Sequence, residues 1–431
     1  MSITDVCFNV KSASKKLAAC STDLKNNALM RIAQELQNHK DEIFRANDED
    51  LRRSEAENLP APLLKRLKFD EAKLNDVISG IHSLIRLEDP VGKTLSATEL
   101  DDGLELYKVT SPIGVIGIIF ESRPDALVQI STLCLKSGNG VLLKGGSEAL
   151  ETNRVLAGII ISASEEAGIP KGWCSLLETR SDINELLRQD KYVDLLIPRG
   201  SNEFVRYIMD NTNIPVMGHA DGICHCYIDS YADVDMALRI AIDSKAQYVA
   251  VCNAMETLLV HKDIAGTFLP LFKKAADEKN VEIFGCRRTA AIIDVKPVPN
   301  EDWKREYLDY KLSVRIVDSL EDAIDHINTY GSGHTDAIVT GDEQRASRFL
   351  SLVDSGNVFW NCSTRFSDGF RYGLGAEVGI STGKLHARGP VGLEGLVIYK
   401  YKLLGKGQIV ADYAEKRKSF THVKLDKDFP I

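Results

Sequence analysis

The feature that most restricts the fold is a series of apolar runs, each followed by a polar turn and a helical segment. Ile113-Gly114-Val115-Ile116-Gly117-Ile118-Ile119-Phe120 contains no polar residue. A strand buried on both faces reads this way, because helices cover both sides of a parallel sheet. A helical segment from Asp125 to Lys136 comes next, closed by Gly138-Asn139-Gly140. Val141-Leu142-Leu143 is a second buried strand, and Lys144-Gly145-Gly146-Ser147 leads into a helix ending near Ala167. Leu195-Leu196-Ile197 is a third, followed by Pro198-Arg199-Gly200-Ser201 and a helix from Asn202. Alternation of this kind predicts an α/β fold with a parallel sheet between helices.

From Ala232 the alternation starts again. A helix to about Gln247 precedes the apolar stretch around Cys252, and another spans roughly Phe268 to Lys279. Ser313–Val317, Ala337–Thr340 and Asn357–Trp360 read as strands separated by helices. Two Rossmann-like domains are expected, as 431 residues also suggest. Residues 1 to about 90 read as helices, with Leu29, Ile32, Ala33 and Leu36 at helical spacing. Two segments, Leu104–Val109 and Leu396–Tyr401, alternate as half-exposed strands do.

Composition narrows the partners. A net charge of −9 argues against nucleic acid or an anionic membrane surface as the main partner. The start, Met1-Ser2-Ile3-Thr4-Asp5, lacks a basic region followed by an apolar one. No apolar run reaches the ~18 residues of a membrane span. Nine scattered cysteines suit a reducing cytoplasm better than a disulfide framework.

Candidate chemistry collects at the strand ends. Cys252, in Val251-Cys252-Asn253-Ala254-Met255, is flanked by small residues and an amide. A thiolate there suits covalent acyl transfer, although a free cysteine is more often a small buried hydrophobe. Lys144-Gly145-Gly146-Ser147 and Arg199-Gly200-Ser201 are strand-to-helix corners, which offer free backbone N–H groups to phosphates. Glu121-Ser122-Arg123-Pro124 closes the first buried strand, and Arg123 offers a planar fork for an anion. Arg365, His386 and Arg388 concentrate basic groups in a Gly-rich region. His219, Cys224, His225 and Cys226 look like metal ligands, but residues 223–228 alternate as a strand, which sends neighbours to opposite faces; no metal is expected.

The order of these parts resembles the aldehyde dehydrogenase superfamily. The match is carried by Phe120–Asp125, Leu143–Gly146, Pro198–Asn202, Gly218-His219-Ala220-Asp221-Gly222 and Cys252–Leu259. It continues through His326-Ile327, Gly333–Ile338, Asn361–Phe366, Gly375-Ala376-Glu377-Val378-Gly379-Ile380-Ser381-Thr382 and His386–Pro390. Within the superfamily it is most similar to the branch that reduces an acyl phosphate.

The resemblance implies NADPH-dependent reduction of L-glutamyl 5-phosphate to L-glutamate 5-semialdehyde and phosphate, through a thioester on Cys252, in proline biosynthesis. The alternative is an aldehyde-oxidising NAD(P)-dependent dehydrogenase. Against that alternative, Val216–Asp221 holds no glutamate where oxidising relatives place a water-activating one. Ser147 stands where NAD-preferring relatives carry an acid, which favours NADPH although Glu148 is adjacent. The resemblance further implies oxyanion donors near Ser122 or Asn253. It places the cofactor on Lys144, Gly145, Gly146, Ser147, Arg199, Gly200, Ser201 and Glu306, and the substrate on Glu121, Arg123, Arg365, His386 and Arg388. The expected domains are 1–100 with 113–231 for the cofactor and 232–363 for the cysteine. An oligomerisation arm is expected at 101–112 and 390–408, an anion loop at 364–389 and a tail at 409–431. A homo-oligomer and a transient contact with glutamate 5-kinase complete the expectation.

Overall fold

The computed structural model describes residues 2–178, 181–219, 221–298, 302–375 and 377–430. Ala220 and Ala376, in two of the segments quoted above, lie outside them. The strands, in chain order, are β1 (Thr94–Asp101), β2 (Leu104–Pro112), β3 (Val115–Phe120), β4 (Gly140–Gly145), β5 (Cys174–Leu177) and β6 (Leu195–Arg199). They continue with β7 (Cys224–Ile228), β8 (Met255–His261), β9 (Glu282–Gly285), β10 (Lys296–Pro297), β11 (Lys311–Val317) and β12 (Thr335–Val339). The last are β13 (Asn357–Trp360), β14 (Gly379–Ser381), β15 (Gly389–Val391), β16 (Val397–Leu404) and β17 (Val423–Leu425). The chain divides into two units, Met1–Gly200 with Arg206–Met217 and Gly392–Ile431, and Ser201–Val205 with Gly218–Val391.

In the first unit the predicted buried strands form a parallel sheet ordered β5-β4-β3-β6. Every residue of β3 and β4 is buried, as continuous apolar runs require. The N-terminal helices begin on side-chain caps: Ser2, Ser21 and Asp70 each accept a backbone N–H of the first turn. Helix Pro124–Lys136 is buried along nearly its whole length, and its proline stands at the first turn, where no N–H is needed.

A second, antiparallel sheet belongs to this unit, ordered β16-β2-β1-β17. The two alternating segments do pair with each other, Tyr399 opposite Thr110. The arm is larger than expected, because β1 and β17 join it. Residues 409–431 are therefore not a separate tail: Lys424 lies opposite Thr98.

The second unit is built on a parallel sheet ordered β10-β9-β11-β8-β7-β12-β13. Phe268, Leu269 and Phe272 fill one face and Tyr227, Phe349 and Ile324 the other. The expected boundary at 231/232 moves to 217/218. The reason is β7, whose Cys226 pairs with Leu258 of β8 and Ala337 of β12. β5, β9 and β10 were not foreseen; each has four residues or fewer, too few for a visible period. Among the described residues no helix is long and apolar enough to cross a membrane.

Candidate active site

The first unit gathers its candidates at the carboxyl ends of β3, β4 and β6, where α/β sheets collect ligands. Ser122 is 3% exposed and sits at φ 45°, a left-handed conformation uncommon outside glycine. Its N–H and its hydroxyl (2.9 Å) both donate to Glu148 Oε1. Ser122 thus holds Glu148 here, and its hydroxyl is already engaged. Glu121 N donates to Arg199 O at 3.0 Å, and Arg123 stands at the N-cap of helix Pro124–Lys136.

Lys144 is buried and turns its ammonium back on the Gly145 carbonyl at 2.6 Å. The two glycines beside it are close-packed. A Cβ at Gly145 would stand 2.2 Å from Asn153 Nδ2, and one at Gly146 would stand 2.2 Å from the Glu148 carboxylate. Ser147 is exposed, and its carbonyl accepts from the Arg53 guanidinium at 3.0 Å. Arg53 was not a sequence candidate; it is nearly a hundred residues upstream on another helix. Gly200 is exposed at the end of β6.

In the second unit Cys252 does not lie in a strand. Ala254 N donates to Val251 O at 3.2 Å, so residues 251–254 form a turn, and β8 begins at Met255. Cys252 is half-buried at the amino end of the sheet. Gly222 explains how the turn is seated: a Cβ there would stand 2.3 Å from Cys252 O and 2.5 Å from its Cα. The Cys224 thiol donates to the same carbonyl at 3.2 Å. Two histidines stand nearby. One ring nitrogen of His219, one of His334 and Cys252 Sγ all lie within 4.8 Å of one another. The His219 and His334 rings meet edge to face at 4.7 Å.

Asn253 points away from a catalytic role. Its Nδ2 donates to Ser367 O at 2.7 Å, and its own carbonyl accepts from Thr364 Oγ1 at 2.8 Å. Those two bonds fasten residues 364–367 to the cysteine turn. Arg365, carried by that segment, is 7% exposed. Its Nε donates to Gln247 Oε1 at 3.0 Å, and among the described residues no carboxylate pairs with it. Burial lowers its pKa, as does the charge of Arg371, while the Cys252 thiolate charge opposes them. A buried guanidinium that responds to the charge of the Cys252 sulfur is chemically suited to an anionic group.

Glu306 accepts from Gly222 N at 3.0 Å and from Asn202 Nδ2, so both oxygens anchor neighbouring segments. Burial raises its pKa. Behind the turn, Lys245 and Glu256 form a buried ion pair at 2.7 Å, with Glu256 pushed up to about 7 by burial. Arg388 is exposed and bound to Asp354, with 3.0 Å to its carbonyl and 3.1 Å to its carboxylate; His386 is exposed on the same loop. The structure therefore leaves these two residues on the surface, unlike the buried Arg365. The suspected metal ligands also part: His225 is tied to Asp336 at 2.9 Å, on the face of β7 opposite to that of the buried Cys224 and Cys226. A cavity of about 890 Å³, lined by Arg288, Trp303 and His326 among others, lies at the carboxyl ends of β9 and β11, the opposite end of the sheet from Cys252.

The aldehyde dehydrogenase family profile matches residues 3–285. This chain belongs to the aldehyde dehydrogenase family. It is 71% identical over 431 residues to the gamma-glutamyl phosphate reductase of Acetivibrio thermocellus, covering all of both chains. It is 69% identical over 431 residues to that of Pelotomaculum thermopropionicum, covering 100% of this chain and 99% of the relative. The crystal structure of the gamma-glutamyl phosphate reductase from Thermotoga maritima superposes with a TM-score of 0.92 at 38% identity, covering 94% of this chain and 99% of that one.

As an aldehyde dehydrogenase-family protein the chain is an oxidoreductase, and the family uses nicotinamide cofactors. Against that background the two strand ends differ in kind. The β4 corner presents glycine backbone and nearby cations, the chemistry of a phosphate-bearing ligand. The turn at Cys252 presents a thiol, two imidazoles and a buried arginine, the chemistry of acyl transfer. Arg53, Gly222 and His334 were the residues sequence reasoning did not assign to a site. For Gly222 a signal existed, since a glycine directly before an apolar strand marks a close backbone approach.

Proposed function

We propose that this chain reduces L-glutamyl 5-phosphate with NADPH to L-glutamate 5-semialdehyde and phosphate, through a thioester on Cys252. The observation that carries the reading is the presence, in one unit, of a turn-borne thiol and a buried arginine that forms no ion pair among the described residues and whose pKa responds to the thiolate charge. Full-length similarity to gamma-glutamyl phosphate reductases selects the acyl phosphate.

The Cys252 thiolate forms a bond to the acyl carbon, and the carbon–oxygen bond to phosphate breaks. Arg365 holds an anionic group of the substrate beside the sulfur. The backbone N–H of Cys252 offers a hydrogen bond to the developing oxyanion. NADPH, when bound, supplies the hydride that takes the acyl carbon to the aldehyde level. Loss of the carbon–sulfur bond then returns Cys252 as thiolate. Glu256 is locked to Lys245, and Glu306 to Gly222 and Asn202, so neither carboxylate is poised to activate water against the thioester.

The residues of the β4 corner fit a phosphorylated dinucleotide. Gly145 and Gly146 let the backbone pack closely against Asn153 and the Glu148 carboxylate at the turn into the next helix, a strand-to-helix corner of the kind that binds phosphate. Glu148, the acid that would repel a 2′-phosphate, is turned onto Ser122. Arg53, ion-paired with the buried Asp50, also donates to the Ser147 carbonyl and so places a cation at this corner.

The test is the reverse reaction: NADP⁺ reduction with glutamate semialdehyde. We expect wild-type activity to require inorganic phosphate and Cys252→Ala to have essentially none. Equal rates with and without phosphate would favour the aldehyde-oxidising alternative. The same reading includes assembly through the β1–β2–β16–β17 sheet and a cytoplasmic setting, in keeping with nine free cysteines. Because acyl phosphates hydrolyse readily, it also includes a transient contact with glutamate 5-kinase. Absence of both co-purification and channelling in a coupled assay would remove that contact.

A further inference from the structure

We propose that His219, Cys252 and His334 bind one borderline-soft divalent cation, zinc above all, and that the bound ion switches the enzyme off by occupying the nucleophilic sulfur. The three donor atoms lie within 4.8 Å of one another. Both imidazoles are prepared as ligands. His219 Nδ1 is 2.8 Å from the Ile380 carbonyl, which accepts only an N–H, so the lone pair of that ring is on Nε2. A histidine backed by a carbonyl in this way is the usual outer support of a metal ligand. His334 is fully buried, its Nδ1 is 2.8 Å from Thr335 Oγ1, and its Nε2 is buried with no hydrogen-bond partner.

A buried ring nitrogen without a hydrogen-bond partner is costly in a native interior and calls for a reason. Coordination of a cation is one. Two nitrogens and one sulfur select zinc or cobalt over magnesium or calcium. Tetrahedral zinc would draw the donors to about 3.3–3.6 Å apart. Cys252, half-buried on a turn, is the partner placed to move. On binding, the thiol proton leaves to buffer as the sulfur–metal bond forms, and a chelator reverses the step. Coordination ties up one sulfur lone pair, lowers the nucleophilicity of those that remain and puts the ion where an acyl carbon would approach.

The inhibitory half of the proposal rests on Cys252 being the nucleophile; the binding half does not. The experiment is an anaerobic titration of the reduced full-length protein with Co²⁺, then Zn²⁺. We expect one equivalent of tetrahedral cobalt with a thiolate-to-cobalt charge-transfer band, displaced by zinc. Cys252→Ser should lose that band, and His219→Asn should weaken zinc binding at least about tenfold. His219 is only half-buried, so this variant should keep its fold, checked by circular dichroism. Zinc should abolish NADPH turnover, and chelation should restore it. A charge-transfer band that survives in Cys252→Ser at unchanged affinity would place the metal on other cysteines and overturn the proposal. Cobalt binding as described together with turnover by Cys252→Ala would refute the nucleophile and leave the site standing.

Discussion

A methyl group at Gly222 would stand 2.3 Å from the carbonyl oxygen of Cys252, closer than such atoms approach. Gly222→Ala therefore pushes the cysteine turn out of place. Misplacement of a reacting atom by about 1 Å can cost ~100-fold in rate. We expect kcat to fall by at least about that factor, with a changed rate of Cys252 alkylation as the structural readout. Wild-type values for both would show that the turn yields without consequence. Arg365→Lys belongs to the same scale. It keeps the charge and loses the planar fork, so KM for the acyl substrate should rise about tenfold or more while kcat changes less. A lowered kcat at unchanged KM would assign Arg365 to the transition state instead.

Between elements, Asn253 is a fastener. Its two bonds to residues 364–367 tie the segment that carries Arg365 to the cysteine turn. Asn253→Ala should weaken substrate binding without abolishing reactivity of the thiol towards small alkylating reagents. A second junction is built on Asp229, at the end of β7. Its carboxylate is fully buried and accepts from Tyr227 Oη, Thr340 Oγ1 and the Arg345 guanidinium, with 2.7 Å to Nε. Burial pushes its pKa up, but these donors outweigh burial and hold it below the usual carboxylate value. Removing one partner leaves a charge in a dry site. Asp229→Ala should destabilise the second unit by about 3–5 kcal/mol, read as a loss in denaturant midpoint.

At the scale of the whole molecule, pH enters through buried histidines. Burial, with the charges of His225 and Arg315, lowers His326 to about 2, and burial holds His334 well below 6.5. Both are neutral in the fold, whereas the unfolded chain takes up protons below about pH 6.5. The stability they contribute is complete above that pH and declines as pH falls, by about 1.4 kcal/mol per unit for each histidine. Denaturant midpoints should drop from pH 7.5 to pH 5.5, and His326→Gln should flatten that slope. The arm sheet also acts at this scale. Ile398, Tyr399, Tyr401 and Leu403 are exposed on β16, which is an edge of its sheet. A long apolar edge calls for a partner strand. Tyr401→Lys with Leu403→Lys should lower the mass seen by light scattering.

Local pattern alone determined the two parallel sheets, because a strand buried on both faces is built from a continuous apolar run, as β3 is throughout and β4 is over Val141–Leu143. It also marked Cys252 and the corners at Lys144 and Arg199 as candidates, although the choice of that cysteine came from the family resemblance and not from the pattern. Partnership was not legible. β7 joins the second unit only through its pairing with β8 and β12, and β17 completes the arm over three hundred residues from β1. Asn253 and Ser122 looked like oxyanion donors until folding supplied Ser367 and Glu148 as their acceptors. Arg53, Gly222 and His334 acquire meaning only from neighbours distant in the chain. Periodicity and turn chemistry are properties of consecutive residues; hydrogen-bond partners, burial and charge are properties of distance, and distance is set when the chain closes on itself.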